Sequence, residues 1–418
     1  MEAPPPQAAQ TPVDPPPRHV FRALWVLCEG SARPLEEPAR VEALLRHAKD
    51  LEATDLLVQV YRGGRAWYDA TLADATPYRA IRASGADDPL RTLIAGAHAQ
   101  GLRVHAWVNV FSLNANRDAP IVRDLGAGAV LVDRRGRSLL DYPRGDLPEP
   151  DRGWYRMGTP GLYLDPGAPG VRERLIATFA ELLERYPELD GLHLDYIRHP
   201  GVLPFVPGSR FGVGLDFGYG DETRKRFRAE TGLPDPYSDP SSPSTSKLQY
   251  TTAWDEWRRE QVTALVRDLR TRVLAKHPEL LISAAVIPYA DRAYLSLAQD
   301  WRGWIEEGLV DFAVPMIYTL DDRLFRYQVE SFARSAQSER IWMGTGTWLF
   351  DSSPGRALAQ LEAVRAAGST GEALFSYDAI LESPALMAAL TGSATPDLAD
   401  ARPAALSSAD TPAVPLEP

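Results

Sequence analysis

The sequence predicts an α/β protein whose single large domain is a (β/α)8 barrel, the TIM barrel fold. Short apolar runs alternate with amphipathic helical patterns along the chain, and eight such runs are present. Strands that are apolar on both faces are typical of a parallel sheet covered by helices, and eight of them close into a barrel. An open doubly wound sheet is the alternative, but the first run leads into Cys28-Glu29-Gly30-Ser31 instead of a glycine-rich phosphate-binding turn.

The composition sets the limits of this domain. The 418 residues are 44% hydrophobic and include ten Trp, which is enough for a large core. Residues 1–18 are rich in Pro, and residues 391–418 are rich in Ala, Pro, Ser and Asp, so we predict that both ends are disordered. The barrel is expected to occupy residues 19–390, with long insertions after strands three and four.

The first half of the barrel contains four predicted strands, separated by helices. The first helix is indicated by the 3-4-3 spacing of its apolar residues Val41, Leu44, Leu45 and Ala48. The predicted strands are 21–27, 55–61, 102–110 and the beginning of 190–200, and the predicted helices are 36–51, 89–100 and 171–186.

The second half repeats the alternation. A long amphipathic helix is predicted to end before Pro278, since proline cannot continue a helix. The predicted strands are 280–286, 310–318, 340–345 and 372–377, and the predicted helices are 252–276, 297–307, 324–335 and 354–367.

Charge and residue usage disfavour several classes of function. The net charge is −11 and the basic residues form no stripe, so no nucleic-acid partner is predicted. No apolar run approaches the ~18 residues of a membrane span. The single cysteine, Cys28, allows no internal disulfide, and no two His stand at a metal-binding i, i+4 spacing. We predict no metal and no cofactor, and the oligomeric state is left open.

The amino-terminal segment bears on location. Residues 1–17 lack the apolar core of an intact secretory signal, and their composition is that of a linker following a removed leader. We expect an exported protein of the periplasm or cell envelope whose leader is absent from this chain, although a Pro-rich cytoplasmic tail would have the same composition.

One acidic residue at the end of a strand is the main candidate for chemistry. His193 and Asp195 are two residues apart and therefore project from one face of the fourth strand, with Arg198 just beyond. A barrel enzyme carries its catalytic groups at the carboxyl ends of its strands, which is the position of Asp195. A buried Asp–Arg pair that caps the strand would leave the same pattern.

Aromatic, amide and carboxylate side chains recur at the other strand ends. This combination suits a glycan, because sugar rings have apolar faces that lie on aromatic side chains and hydroxyls that need polar partners. His105 and His193 also fit hydrogen-bonded residues of the barrel interior. The predicted substrate-binding residues are Gln59, Arg62, His105, Trp107, Asn109, His193, Arg198, Tyr318, Trp348 and Asp378.

Cleavage of a glycosidic bond requires a second acid beside the first. We predict that Asp291, Asp321 or Asp322, which follow strands five and six, is this catalytic acid/base, with Glu29 and Asp378 as weaker alternatives. Each could instead be an exposed loop carboxylate or a helix cap, and Asp321 in particular stands just before a helix.

Several segments resemble a bacterial glycosyl hydrolase-like family known as family 10 glycosylhydrolases, the DUF187 group. The similarity runs from about residue 20 to 380. The segments that carry it are Arg22–Val26, Gln59-Val60 with Arg62-Gly63, His105–Asn109, Asp190–Pro200, Trp257–Arg259 and Val310–Tyr318.

This resemblance implies a TIM-like barrel that acts on glycans, often in the cell envelope. By likeness to retaining glycosidases it gives Asp195 the role of nucleophile and places His193 beneath it. Tyr61 and Gly64-Arg65 depart from the family pattern, which motivates the alternative of a catalytically inactive carbohydrate-binding barrel.

Overall fold

The computed structural model describes residues 20–85, 87–204 and 215–392. The predicted disordered segments therefore lie outside the described residues, except for Thr391 and Gly392. Part of the insertion after the fourth barrel strand, residues 205–214, also lies outside them.

The described residues form a closed barrel of eight parallel strands, which confirms the predicted fold. Each strand pairs with its neighbours in chain order, and the pairing of the first with the second and the eighth closes the ring. The strands are β1 (Phe21–Val26), β2 (Asp55–Arg62), β3 (Arg103–Asn109), β4 (Gly191–Asp195), β5 (Leu281–Val286), β6 (Phe312–Ile317), β7 (Met343–Gly346) and β8 (Gly371–Phe375).

Helices follow the strands and cover the outside of the barrel. Their apolar faces pack on the outward residues of the strands in one continuous core. They are α1 (Pro38–Asp50), α2 (Pro89–His98), α3 (Val171–Arg185), α4 (Thr251–Asp268), α5 (Trp301–Glu306), α6 (Asp322–Ala333), α7 (Pro354–Ala366) and α8 (Pro384–Leu390). Additional helices are Thr76–Ala83, Pro120–Leu125, Asp221–Thr231, Ala290–Ser296 and Tyr377–Glu382.

Two predicted helices differ from the observed ones. The pattern over 252–276 continues beyond α4, but the regular helix ends at Asp268 and the chain continues as a π turn and a 3-10 turn. The helix predicted over 297–307 begins only at Trp301, because Ala298 adopts a left-handed conformation with φ 54° that interrupts helical geometry.

The insertions after β3 and β4 contact each other. The strand Tyr155–Met157 of the first insertion pairs antiparallel with Val202–Pro204 of the second. A second short ribbon joins Ser112–Asn114 to Leu162–Tyr163. The first insertion is thereby attached to the segment that directly follows β4.

The barrel interior is filled with side chains, several of them aromatic. An inner cluster is formed by residues from alternate strand positions: Ala23, Trp25, Leu57, Trp107, Ala285, Phe312, Val314, Trp342 and Ala373. The barrel is therefore a packed core, as closed eight-stranded barrels are. None of the helices in the described ranges is both long and apolar enough to cross a lipid bilayer.

Candidate functional site

Asp195 ends β4 at the carboxyl end of the barrel, and its carboxylate is held by three donors. Oδ1 accepts from the backbone N–H of Tyr196 at 2.6 Å and faces the Arg198 guanidinium at 3.4 Å. Oδ2 accepts from the Trp107 indole N–H at 3.2 Å. Only 9% of the side chain is exposed. The site thus contains an oriented carboxylate with limited access to water.

The surroundings of Asp195 change its acidity. Burial raises its pKa above the ordinary value, while Arg198 and the N–H donors of Tyr196 and Trp107 oppose that rise. Perturbed acids of this kind, shifted by desolvation next to a specific charge partner, are found preferentially at functional sites.

Tyr196 explains how the Asp195 carboxylate is oriented. Its backbone is left-handed, with φ 50°, and its N–H donates to the carboxylate of the preceding residue. The ring packs near Tyr163, with centroids 6.2 Å apart, and the Arg198 guanidinium lies 4.7 Å from its centroid. Such strained residues cluster at functional sites. Nothing in the sequence marks Tyr196 as a residue with a left-handed backbone.

Unpartnered polar atoms lie close to Asp195. The Tyr318 hydroxyl and the Trp348 indole N–H are buried and have no hydrogen-bond partner among the described residues. Asp195 and Arg198 both act electrostatically on Tyr318, whose pKa is raised mainly by burial. Because buried polar groups are normally paired, these atoms are candidates to bind the polar groups of a ligand.

Gly346 lets Tyr318 and Trp348 approach each other at the end of β7. A Cβ added at Gly346 would lie 3.1 Å from the Tyr318 ring and 3.2 Å from Trp348 Nε1. A side chain at this position would therefore push against both residues.

Gln59 and Asn109 form a buried polar pair on β2 and β3. Gln59 Nε2 donates to Asn109 Oδ1 at 3.2 Å, and the Cys28 thiol donates to Gln59 Oε1 at 3.1 Å. Asn109 is directly opposite Asp195 in the β3–β4 ladder. Burial raises the pKa of the Cys28 thiol well above its usual value, which keeps it protonated.

Arg62 and Arg65 hold Glu29 at the edge of the same end of the barrel. Glu29 Oε1 lies 2.8 Å from Arg65, and Oε2 lies 3.5 Å from Arg62. Its side chain is 29% exposed, so it remains open to solvent. Arg62 also acts electrostatically on Tyr196, the residue next to Asp195.

His193 lies in the barrel interior and is fully buried. The Trp25 indole N–H donates to its Nε2 at 3.0 Å, which leaves Nδ1 to donate to the Ser283 hydroxyl at 2.9 Å. Burial lowers the pKa of His193 to about 3, so the ring is neutral. Both ring nitrogens are occupied by barrel residues.

His105 lies at the opposite, amino-terminal end of the barrel. Its Nε2 is 2.8 Å from Asp55 Oδ1 at the start of β2, and both side chains are fully buried. Burial alone would raise the pKa of Asp55, but the hydrogen bonds and charges of His105 and Arg103 outweigh it and lower the pKa. The structure does not bring His105 together with Asp195.

Asp378 connects the loops after β8 and β1. Oδ1 accepts from the N–H of Ala32 at 2.8 Å, and Oδ2 accepts from that of Leu27 at 3.4 Å. A Cβ at Gly30 would collide with the carboxylate, so the loop approaches it only because residue 30 is glycine. Burial raises the pKa of Asp378. Its oxygens are used to hold the fold.

Asp291 and Asp321 are exposed and belong to the segments that follow β5 and β6. Asp321 is the N-cap of α6 and accepts from the N–H groups of Arg323 at 2.9 Å and Leu324 at 3.1 Å. Asp291 lies on the helix Ala290–Ser296 and lines a separate cleft. No hydrogen bond or ion pair of the described residues links either to Asp195. Within the same residues, no three His, Cys, Asp or Glu form a group able to hold a metal.

The sequence matches a known protein family. Residues 20–345 match the family described as Glycosyl hydrolase-like 10. The chain is 25% identical over 246 residues to glycosyl hydrolase DigH of Escherichia coli K12, covering 55% of this chain and 46% of that protein. It is 23% identical over 296 residues to glycosyl hydrolase YngK of Bacillus subtilis, covering 66% and 48%. The chain thus spans about half the length of these curated relatives.

Solved structures show the same fold at low sequence identity. The glycoside hydrolase domain of PgaB from Bordetella bronchiseptica has a TM-score of 0.60 at 14% identity, covering 89% of this chain and 98% of that one. A β-galactosidase from Bacillus circulans has a TM-score of 0.55 at 13% identity, covering 86% and 50%. The family match extends over most of the chain and includes Asp195 and its neighbours, and the protein therefore belongs to the glycosyl hydrolase-like 10 family.

Proposed function

We propose that this protein is a glycoside hydrolase that cleaves O-glycosidic bonds of a poly- or oligosaccharide, with a bacterial cell-envelope glycan as substrate and Asp195 as nucleophile. The observation that carries the proposal is the oriented carboxylate of Asp195 beside the unpartnered polar atoms of Tyr318 and Trp348. The family and the glycosidase folds of the structural neighbours support the same class of reaction.

The contacts of Asp195 distinguish its two oxygens. Oδ1 faces two donors, Tyr196 N–H and Arg198, whereas Oδ2 receives only the Trp107 N–H. Oδ2 therefore has the more available lone pairs, and we assign it the attack on the anomeric carbon. The attack forms a glycosyl ester and expels the leaving oxygen, and water then hydrolyses the ester.

A double displacement also needs a group that protonates the leaving oxygen and later activates water. We assign this role to Glu29, because it is a solvent-accessible acid after β1, at the same end of the barrel as Asp195, and its partner Arg62 acts electrostatically on Tyr196. Both oxygens of Asp378 accept backbone N–H groups, as does Oδ1 of Asp321, which caps α6.

The test of the nucleophile is the variant Asp195→Asn, assayed for release of reducing ends from purified peptidoglycan sacculi. We expect at least ~10³-fold slower release with the fold retained by circular dichroism. In a second variant, Asp195→Ala, added azide should restore turnover, because the small anion can occupy the space left by the missing carboxylate. Undiminished turnover in folded Asp195→Asn would overturn the assignment.

The test of the acid/base is Glu29→Gln. Loss of this group should remove one limb of the pH profile of kcat, since that limb reports the titration of the proton donor. Gln keeps the side-chain shape beside Arg62 and Arg65. An unchanged pH profile would show that another acid has this role. The variants Asp291→Asn and Asp321→Asn test the two other candidates in the same assay.

A catalytically inactive carbohydrate-binding barrel is the second candidate. It is favoured by the ion pair with Arg198, which occupies Oδ1 of the nearly buried Asp195. Calorimetric binding of glycan by the native protein, with no product after long incubation, would select this function.

A further inference from the structure

A cleft beside the helix Ala290–Ser296 is not used by the proposed reaction. It encloses about 200 Å³ between this helix and the start of α5. Pockets for drug-sized ligands enclose roughly 300–1,000 Å³, so this cleft has room for a ligand of about one sugar ring. Its lining includes Asp291, Tyr294, Gln299, Asp300, Trp301 and Arg302.

Several polar groups of the cleft lack partners. Trp301 is 1% exposed, yet its indole N–H has no acceptor among the described residues. The Arg302 guanidinium lies 5.2 Å from the Trp301 ring centroid. Among the described residues, neither this guanidinium nor the Asp291 carboxylate forms a hydrogen bond or a salt bridge. A buried donor without a partner is uncommon in native proteins and calls for a ligand or water.

An aromatic surface completes the lining. Tyr294 is 38% exposed. The Arg259 guanidinium lies 3.6 Å from its ring centroid and also donates to its carbonyl oxygen at 2.8 Å. These two contacts fix the ring, so that an apolar ligand face can pack on it with little loss of side-chain freedom.

The charges of the lining favour a neutral ligand. The lining contains two acids, Asp291 and Asp300, and one base, Arg302. The guanidinium of Arg259 adds a second positive charge outside the lining, against the Tyr294 ring. Together the lining offers donors, acceptors and an apolar ring, which are the groups that recognise the hydroxyls and the apolar face of a sugar. An anionic or cationic ligand would meet charges of its own sign.

The cleft lies next to the strand end that carries Asp195. Gln299 lines it, and its side-chain amide donates to the carbonyl oxygens of Ile197 and Ala285 at 3.5 and 3.4 Å. Ile197 is two residues beyond Asp195. We propose that this cleft is a second carbohydrate-binding site, which holds one sugar ring of a polymeric glycan while another part of the polymer reaches Asp195. The inference rests on the proposed function.

The test measures binding in the Asp195→Asn background, so that turnover does not interfere. Co-sedimentation with insoluble peptidoglycan sacculi should show binding at least ~5-fold weaker after Asp291→Ala or Tyr294→Ala. The matched control is Tyr327→Ala on α6, which removes a tyrosine that is 72% exposed away from the cleft. The control should bind as the Asp195→Asn parent does.

Activity separates this inference from the proposed function. In the otherwise native protein, Tyr294→Ala should slow reducing-end release from sacculi but not from soluble fragments produced by a muramidase. Equal binding of the cleft variants and the parent, or no binding to sacculi by any form, would overturn the second site. Full turnover by Asp195→Asn, with weaker binding by the cleft variants, would overturn the proposed nucleophile alone.

Discussion

At the scale of single residues, the buried polar groups of the barrel interior and of the site provide a contrast. Both ring nitrogens of His193 are paired, one with the Trp25 indole N–H and the other with the Ser283 hydroxyl. Next to Asp195, in contrast, the Tyr318 hydroxyl is buried with no acceptor or donor among the described residues. An unpaired buried hydroxyl costs stability, and a ligand can recover that cost on binding.

Tyr318→Phe tests this interpretation. Removing the unpaired hydroxyl should leave stability unchanged or raise it by about 1 kcal/mol, because a desolvated polar group is lost. If the hydroxyl forms a hydrogen bond with the substrate, kcat/KM should fall about tenfold, because loss of one hydrogen bond of about 1.4 kcal/mol corresponds to a tenfold change. Urea unfolding and reducing-end assays measure both effects, with Tyr327→Phe as the matched exposed control. A loss of stability with unchanged kcat/KM would contradict the role.

Asp165 gives a prediction about pH. It is buried in the first insertion, where its carboxylate accepts from the Thr223 hydroxyl at 2.7 Å and from Gly167 N–H at 2.9 Å. Burial raises its pKa to about 6, against about 3.9 in an unfolded chain. Between these two pH values Asp165 binds more protons in the folded state than in the unfolded state. The stability that protonated Asp165 gives the folded state is therefore lost as the pH rises toward 6.

Asp165→Asn should remove that dependence. From about pH 4 to about pH 6.5, the stability of the variant relative to the native protein should increase by roughly 3 kcal/mol, the equivalent of two pKa units. Urea unfolding at a series of pH values measures the difference. A constant difference across this range would show that Asp165 does not titrate as described.

At the scale of elements, a glycine in β4 allows a side chain of the neighbouring strand β3 to pack closely against the β4 backbone. A Cβ at Gly191, the first residue of β4, would collide with the buried ring of His105 on β3. That ring is held in turn by Asp55 at the start of β2. The position of β4, and therefore of Asp195 at its other end, depends on this contact.

Gly191→Ala should destabilise the fold by about 1–3 kcal/mol, the range for overpacking in a tight core. Gly153→Ala is the control, because a Cβ there meets no atom within 4 Å. Chemical denaturation of both variants measures the effect. Equal free energies of unfolding would show that β3 and β4 adjust without cost.

The elements also show what the sequence can predict. The eight strands could be predicted because each is an apolar run between a helical pattern and a loop. The late start of α5 could not, because the left-handed Ala298 that interrupts the pattern has no sequence signature. The end of α4 was missed for a similar reason, since its amphipathic pattern continues through the irregular turns up to Lys276.

At the scale of the whole molecule, the barrel separates residues that share a strand face. His105 and Asn109 both point inward, but they are four residues apart, which is ~13 Å along a strand. Asn109 therefore lies opposite Asp195, while His105 lies with Asp55 at the far end. Alternation predicts the shared face, but depth depends on the register of neighbouring strands, which the sequence does not reveal.

Part of the candidate site could be predicted from the sequence. Asp195 follows from an acid at the end of an apolar strand, Arg198 from its position just beyond that strand, and Trp107 from the alternation of side chains along the third strand. The left-handed backbone of Tyr196 is visible only in the structure. The same holds for the cap formed by Asp321, because a carboxylate just before a helix has the same sequence pattern whether it caps the helix or takes part in catalysis.

The most direct measurement for the central claim is the anomeric configuration of the first product formed from muramidase-derived peptidoglycan fragments, read by proton NMR within minutes of mixing. An attack by Asp195 followed by hydrolysis of the glycosyl ester inverts the configuration twice, so the product should retain the configuration of the cleaved bond. An inverted product, or no product at all, would contradict the account.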